Sequence, residues 1–220
     1  TLGGLVMLSL ILLWWSARSL PETLEGSVPP QPLLTTLWRM LKDPDIWRSS
    51  FLVAAFNVAL FSYYNLAPFQ FERLGLSPEL FGYSGVILAL GSGLGAWLNK
   101  RLLARGFDGS QLSAVAAIVL LMGGISVQGL LDSAGFVVAM LLIVLAFGMA
   151  IPNVLGAALV RYGDCLGTAG ALFGLFYYLL IGGALMLAAW FQALGWTLIL
   201  CGSLAVCLTV HLMWERACSR

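Results

Sequence analysis

Apolar positions fill seven long runs along this chain, residues 2–17, 47–66, 79–98, 111–131, 135–160, 168–194 and 195–214, and the centre of each run carries no charged side chain. A hydrocarbon core about 30 Å thick is crossed by a helix of about 20 apolar residues, so each run predicts a membrane-crossing helix. The polar positions collect between the runs. The longest interruption, residues 18–46, opens with Leu20-Pro21-Glu22-Thr23 and continues through Pro29, Pro30 and Pro32, which resist a continuous helix. A short amphipathic piece follows: Leu34, Trp38 and Leu41 share one face while Arg39 and Lys42 lie off it. That pattern predicts a helix lying on the cytoplasmic membrane surface, with a calmodulin-like target helix as the alternative.

Turn and capping residues mark the boundaries. Asp43-Pro44 reads as an N-cap and an N1 proline opening the second crossing. Ser77-Pro78-Glu79 and Asp108-Gly109-Ser110 do the same for the third and fourth. Connections around Asp132 and between Leu194 and Trp196 are very short, which predicts antiparallel hairpins in a compact bundle. The expected organisation is an all-α integral membrane protein: a crossing helix over 1–17, a linker with an amphipathic helix over 18–46, a six-helix body over 47–214 and a tail over 215–220.

Charge then orients the ladder. Placing Arg18, Arg39, Lys42, Arg48, Lys100, Arg101, Arg105, Arg161, Arg216 and Arg220 on one side leaves only Arg73 on the other, a strong positive-inside pattern. The first run has no basic region before it and Arg18 after it, so it reads as a retained helix entering from outside rather than a cleaved signal peptide. With 60% hydrophobic and 10% charged residues, too little polar surface is available for a soluble shell. The net charge of +1 is spread over loops on one membrane face and gives no nucleic-acid footprint.

Candidate chemistry is sparse. Cys165 and Cys218 fall in cytoplasmic segments and Cys201 and Cys207 in the last helix, which offers no disulfide framework. His211 stands alone near the cytoplasmic end of the last run, either as an interfacial histidine or as a ligand or proton relay. No Asp, Glu, Lys or Arg lies deep in a run, and no metal-ligand spacing, paired carboxylates or nucleophile and base dyad is present. These residues predict neither an enzyme nor a cofactor or metal site.

Small and polar residues inside the runs carry what signal remains. Gly91, Gly93 and Gly95 suggest a nucleotide loop only superficially, because no strand precedes them and they lie at lipid depth. Gly91 with Gly95, and Gly170 with Gly174, are spaced four apart and allow helices to approach closely, or to slide. Asn57, Tyr64, Gln128 and Asn153 must find partners or face a wet cavity. Asn57, Phe61 and Tyr64 share one helix face, which lines a polar and aromatic cavity or packs within the bundle. Pro152 frees a carbonyl and kinks its helix beside Asn153. Phe173 and Tyr177, one turn apart near Gly170 and Gly174, offer stacking surfaces for an aromatic or cationic ligand, or ordinary packing.

Several stretches together resemble the major facilitator superfamily, and within it the Bcr/CflA type of drug and proton antiporter. Leu20-Pro21-Glu22-Thr23 resembles the segment after that family's sixth helix. Phe61-Ser62-Tyr63 and Ala67-Pro68-Phe69 resemble its seventh, and Gly75-Leu76-Ser77-Pro78 with Phe81-Gly82 the loop into its eighth. Gly148-Met149-Ala150-Ile151-Pro152-Asn153 resembles the Pro-Asn signature of the tenth, and Gly167-Thr168-Ala169-Gly170-Ala171-Leu172 the start of the eleventh. Residues 91–105 resemble the second-half copy of the cytoplasmic glycine and basic loop motif, with Arg101 and Arg105 in place and Asn99 where an acidic residue is usual.

The resemblance implies helices 6 to 12 of a twelve-helix fold, with a substrate cavity between two halves. It implies Asn57, Phe61, Tyr64, Asn153 and Tyr177 as substrate-binding residues, and amphiphilic drug-like molecules and protons as what is exchanged. Membrane lipids and an amino-terminal half are the implied partners, in a bacterial inner membrane. Proton-coupling acids belong to that other half, so the chain alone is expected to be transport-incompetent. The competing expectation is a membrane interaction or structural module that transports nothing.

Overall fold

The computed structural model describes residues 2–19 and 32–218, and all regular structure within them is helical. The Leu20 to Thr23 motif, Pro29, Pro30 and Arg220 lie outside the described residues. Two units divide the chain, residues 1–31 and 32–220. The first contains α1 (Leu2–Ser19), whose sequence is apolar on all sides, with the Arg18 guanidinium 5.3 Å from the Trp14 ring.

The second unit is a bundle: α2 (Leu33–Leu41), α3 (Pro44–Arg73), α4 (Pro78–Ala104), α5 (Gly109–Leu130), α6 (Gly135–Ala158), a 3₁₀ turn (Val160–Cys165), α7 (Leu166–Phe191) and α8 (Leu194–Cys218). Among the described residues six helices are long and apolar enough to cross a membrane: α3, α4, α5, α6, the 3₁₀ turn continued into α7, and α8. The chain is thus a multi-pass membrane protein. The apolar stretch of α1, Gly3–Ser19, is shorter than these six.

Local chemistry sets the ends. Asp43 caps α3 by accepting the Asp45 N–H at 2.9 Å, with Pro44 at the first helical position. Asp108 and Gln111 form a reciprocal capping box at the start of α5. Ser77 precedes α4 as expected but makes no side-chain cap; Pro78 starts the helix by its fixed φ. Gly106, at φ +90°, ends α4 after Arg105, where a side chain would be strained. Gln192 adopts φ +49° and gives its N–H to Ala188, turning α7 into α8 across two residues.

Burial ranks the helices. In α3, 67% of the most apolar window is inside the bundle, against 17% for α4 and 28% for the α7 segment, so α3 is the hub. It packs on α6, α7 and α8, while α5 joins α6 to α8 and α4 rests mainly on α6. Leu90, Met186 and Trp190 point outward with 71%, 76% and 85% of their surface accessible, an apolar exterior suited to lipid rather than water.

Glycines decide how close the helices come. A side-chain carbon on Gly95 would collide with the Leu145 carbonyl, and one on Gly148 with the Ser92 carbonyl, so the α4 and α6 backbones touch through both. Gly91 faces Val144 in the same seam, and Gly202 faces the Leu121 backbone between α8 and α5. Gly170 and Gly174, which share the four-residue spacing, sit at no such approach: the former meets only Leu159 at 3.7 Å and the latter only the Tyr177 hydroxyl at 4.0 Å. Spacing alone does not say which helix face meets a neighbour.

An aromatic plug closes the other end of this seam. Tyr63 is fully buried against Phe81 and Phe136, with Phe71 edge-on to both, and its hydroxyl lies 2.6 Å from Ser84 Oγ.

Candidate functional site

Helix alternation in the second unit carries Arg39, Lys42, Arg48, Lys100, Arg101, Arg105 and Arg161 to one end of the bundle, and Arg73 to the other. At the basic end Asp43 is the organising group. Its Oδ1 caps α3, its Oδ2 accepts the Tyr162 hydroxyl at 2.9 Å, and Arg161 Nη1 lies 4.0 Å away. Asp45 takes Arg161 at 3.0 Å and also pairs with Arg48. Arg39 of α2 donates to Asp164 at 3.0 Å and to the Arg161 carbonyl at 2.8 Å, and its guanidinium lies 4.5 Å over the Tyr162 ring. The α6–α7 connection is thus tied to α2 and to the start of α3.

Asn99 and Asn153 meet at the same end. Asn99 Nδ2 donates to Asn153 Oδ1 at 3.2 Å, Asn153 Nδ2 donates back at 2.8 Å, and Asn153 also reaches the Met149 carbonyl at 3.0 Å. Asn99 is only 3% exposed. The glycine and basic motif is therefore helical rather than a loop: Asn99, Lys100 and Arg101 continue α4, Arg105 follows as its cap, and Arg101 lies 4.8 Å over the Trp97 ring. Pro152 lies inside α6, beside Asn153. Asp43, Asp45, Arg48, Asp108, Asn153 and Arg161 help line a cavity of about 650 Å³ that opens among α3, α5, α6 and α8.

Of the five residues expected at a substrate cavity, only Asn153 lines one of the three cavities described here. Asn57, Phe61 and Tyr64 do present one face of α3, with Phe61 and Tyr64 each 40% exposed. Asn57 Nδ2 is bonded back to the Val53 carbonyl at 2.8 Å. Asn153 belongs to the basic-end cavity, and its carboxamide is taken by Asn99 and Met149. Tyr177 lies edge-on to Phe173 at 5.4 Å and beside Tyr178 at 4.6 Å. Trp47 stacks on Phe176 at 5.4 Å, which aligns the parallel helices α3 and α7. At 1.5 Å per residue Tyr177 is then roughly 15 Å nearer the basic end than Asn57. None of the three cavities described for this bundle is lined by Asn57, Phe61, Tyr64 or Tyr177.

At the opposite end a polar cavity of about 550 Å³ takes in Gln70, Glu72, Arg73, Gln128 and Gln192. Gln128 Oε1 is buried there without a hydrogen-bond partner. Sequence reasoning marked Gln128 as a polar group needing a partner but passed over Tyr63 and Ser84, whose pairing had no motif to signal it. Cys165, Cys201 and Cys207 are free thiols, and no group of three potential metal ligands occurs among the described residues.

These features define a multi-pass helical membrane protein with a cavity at each end of its bundle, the basic-end one lined by both charged and apolar residues. The chain is similar to two curated proteins, each named an uncharacterized transporter. One, from Rickettsia felis (strain ATCC VR-1525 / URRWXCal2), is 30% identical over 158 residues, covering 64% of this chain and 38% of that protein. The other, from Rickettsia bellii (strain RML369-C), is 26% identical over 164 residues, covering 68% and 41%. The chain spans about two fifths of the length of the curated relatives it matches. No protein-family model matches it, and no solved structure does.

Proposed function

We propose that this chain is the carboxy-terminal half, with the preceding helix, of a major facilitator type exporter that moves amphiphilic drug-like molecules against protons across a bacterial inner membrane. In this reading α1 is a seventh crossing, and α1 and α3–α8 correspond to helices 6 to 12. The observation that carries the proposal is the open face of α3: the most buried helix of the bundle leaves Asn57, Phe61 and Tyr64 on its accessible side. A polar and aromatic face on a lipid-depth helix is expensive unless it borders a wet cavity or another protein half. The names of the two relatives, their greater length and the ordered run of resembling motifs support the same reading. Alternating access requires a second half to rock against, so the chain alone should not transport.

The test is ethidium efflux from cells expressing the chain with and without a complementary amino-terminal half. Efflux only with both supports the proposal. Efflux by the chain alone would refute the half-transporter reading, and none in either case would favour a non-transporting module. In the restored protein, Asn57→Ala and Tyr64→Ala should change the substrate profile while expression holds.

A further inference from the structure

Next to the Asp43 cluster, a small cavity of about 380 Å³ opens between α2 and the α6–α7 connection. Three cations, Arg39, Lys42 and Arg161, line it together with a single carboxylate, Asp43. That carboxylate is turned inward: both of its oxygens are engaged, by the Asp45 N–H and the Tyr162 hydroxyl, and its side chain is 12% exposed. Asp164 and Asp45 pair with Arg39 and Arg161 from beside the cavity, so the positive charge left over at its mouth is that of Lys42. Lys42 has no carboxylate within ion-pairing distance among the described residues; its ammonium lies 5.8 Å over the Trp38 ring.

The surface around the mouth is apolar. Thr36 and Met40 turn the inner face of α2 into the bundle, whereas Leu33, Leu34 and Trp38 stand out with 61%, 65% and 58% of their surface accessible. A tryptophan and a lysine beside an exposed leucine face is the arrangement of a helix seated at headgroup level, with the ring and the charge at the polar boundary. A helix at that depth would present the cavity to a phosphodiester, with acyl chains running along the leucines.

We propose that Arg39, Lys42 and Arg161 form a binding site for the headgroup of an anionic phospholipid in the leaflet facing the basic end of the bundle. The phosphate would be held first by the Lys42 ammonium, with the guanidinium N–H groups not given to Asp164, Asp45 or the Arg161 carbonyl as further donors. Because Arg39 and Arg161 also join α2 to the α6–α7 connection, a bound lipid would brace that junction. The inference rests on the membrane placement of the bundle and stands whether or not the chain is part of an exporter.

Native mass spectrometry of the purified full chain tests it, using phosphatidylglycerol and phosphatidylcholine with identical acyl chains, and inorganic phosphate as the soluble anion. Phosphatidylglycerol should be retained preferentially. Lys42→Gln should weaken that retention about fivefold, the equivalent of about 1 kcal/mol for one cation near an anionic surface. Lys42→Arg should restore it, and Lys100→Gln, at the same end but outside the cavity, should leave it unchanged. Among the described residues Lys42 makes no ion pair, so an unaltered unfolding midpoint confirms that Lys42→Gln remains folded. Equal retention of the two lipids would overturn the proposal. So would equal losses in Lys42→Gln and Lys100→Gln, which would mean diffuse attraction, or displacement of lipid by inorganic phosphate, which would mean a soluble-anion site.

Discussion

Asn99 and Asn153 exchange two hydrogen bonds across the seam between α4 and α6, at 3.2 and 2.8 Å. Each carboxamide donates to and accepts from the other, so Asn99, buried at 3% exposure, has its polar group met by Asn153. Interhelical polar contacts in membrane proteins contribute about 0.6 kcal/mol on average and up to about 1.7. A double-mutant cycle of Asn99→Ala and Asn153→Ala should give a coupling within that range when stability is read from reversible unfolding in mixed micelles. Strict additivity would show that the two residues act separately.

The same seam predicts a sharp contrast among glycines. Gly95→Ala and Gly148→Ala place a methyl against a facing backbone carbonyl and should each destabilise by about 1–3 kcal/mol, the usual cost of overpacking. Gly93→Ala, which meets nothing within 4 Å, should be neutral or slightly stabilising because alanine is the better helix former. Unfolding midpoints of the three variants would expose any failure of this ordering.

Tyr63 is held by Ser84 inside an aromatic cluster. Ser84 Oγ also reaches the Phe81 carbonyl at 2.6 Å, so the chain of bonds runs from Tyr63 through Ser84 to the α4 backbone. Removing the Tyr63 hydroxyl leaves Ser84 Oγ its bond to the Phe81 carbonyl, whereas Ser84→Ala alone strands the buried Tyr63 hydroxyl, the larger cost. Tyr63→Phe should lose about 1 kcal/mol, and adding Ser84→Ala should cost little further.

At the basic end, the number of bonds and the degree of burial separate two neighbouring charges. Asp43 caps a helix and accepts from Tyr162, so Asp43→Ala should cost about 1–2 kcal/mol. Arg161 pairs with Asp45 but its side chain is 70% exposed, so Arg161→Gln should cost under about 1 kcal/mol. Chemical denaturation of the two variants at one ionic strength checks the order, and raising salt should shrink only the Arg161 effect.

The six crossing helices of the bundle and the gathering of cations at one of its ends were legible because they rest on long apolar runs and a one-sided distribution of basic residues. Helix starts at Asp43 and Asp108 were legible because capping is local chemistry. Pairings across the bundle were not. Asn153 was expected to point inward beside an intrahelical proline, and it does line a cavity, but nothing in that pattern signals its partner Asn99, 54 positions away. Gly170 and Gly174 have the same spacing as Gly91 and Gly95, yet only the latter helix lays its glycines against a neighbour, a fact settled by packing rather than by sequence. Tyr177 and Asn57 share a chemistry but differ in depth, which a linear pattern cannot display.

The partnership of Asn99 and Asn153 also has a timetable. Ribosomes add about 5–20 residues per second, so the 54 residues between them correspond to roughly 3–10 seconds of synthesis. Throughout that interval α4 carries a carboxamide whose eventual partner has not been made, in a helix with little else to shelter it. Photocrosslinking from position 99 in stalled nascent chains should therefore report lipid or insertion machinery first, and α6 only once residue 153 has left the ribosome.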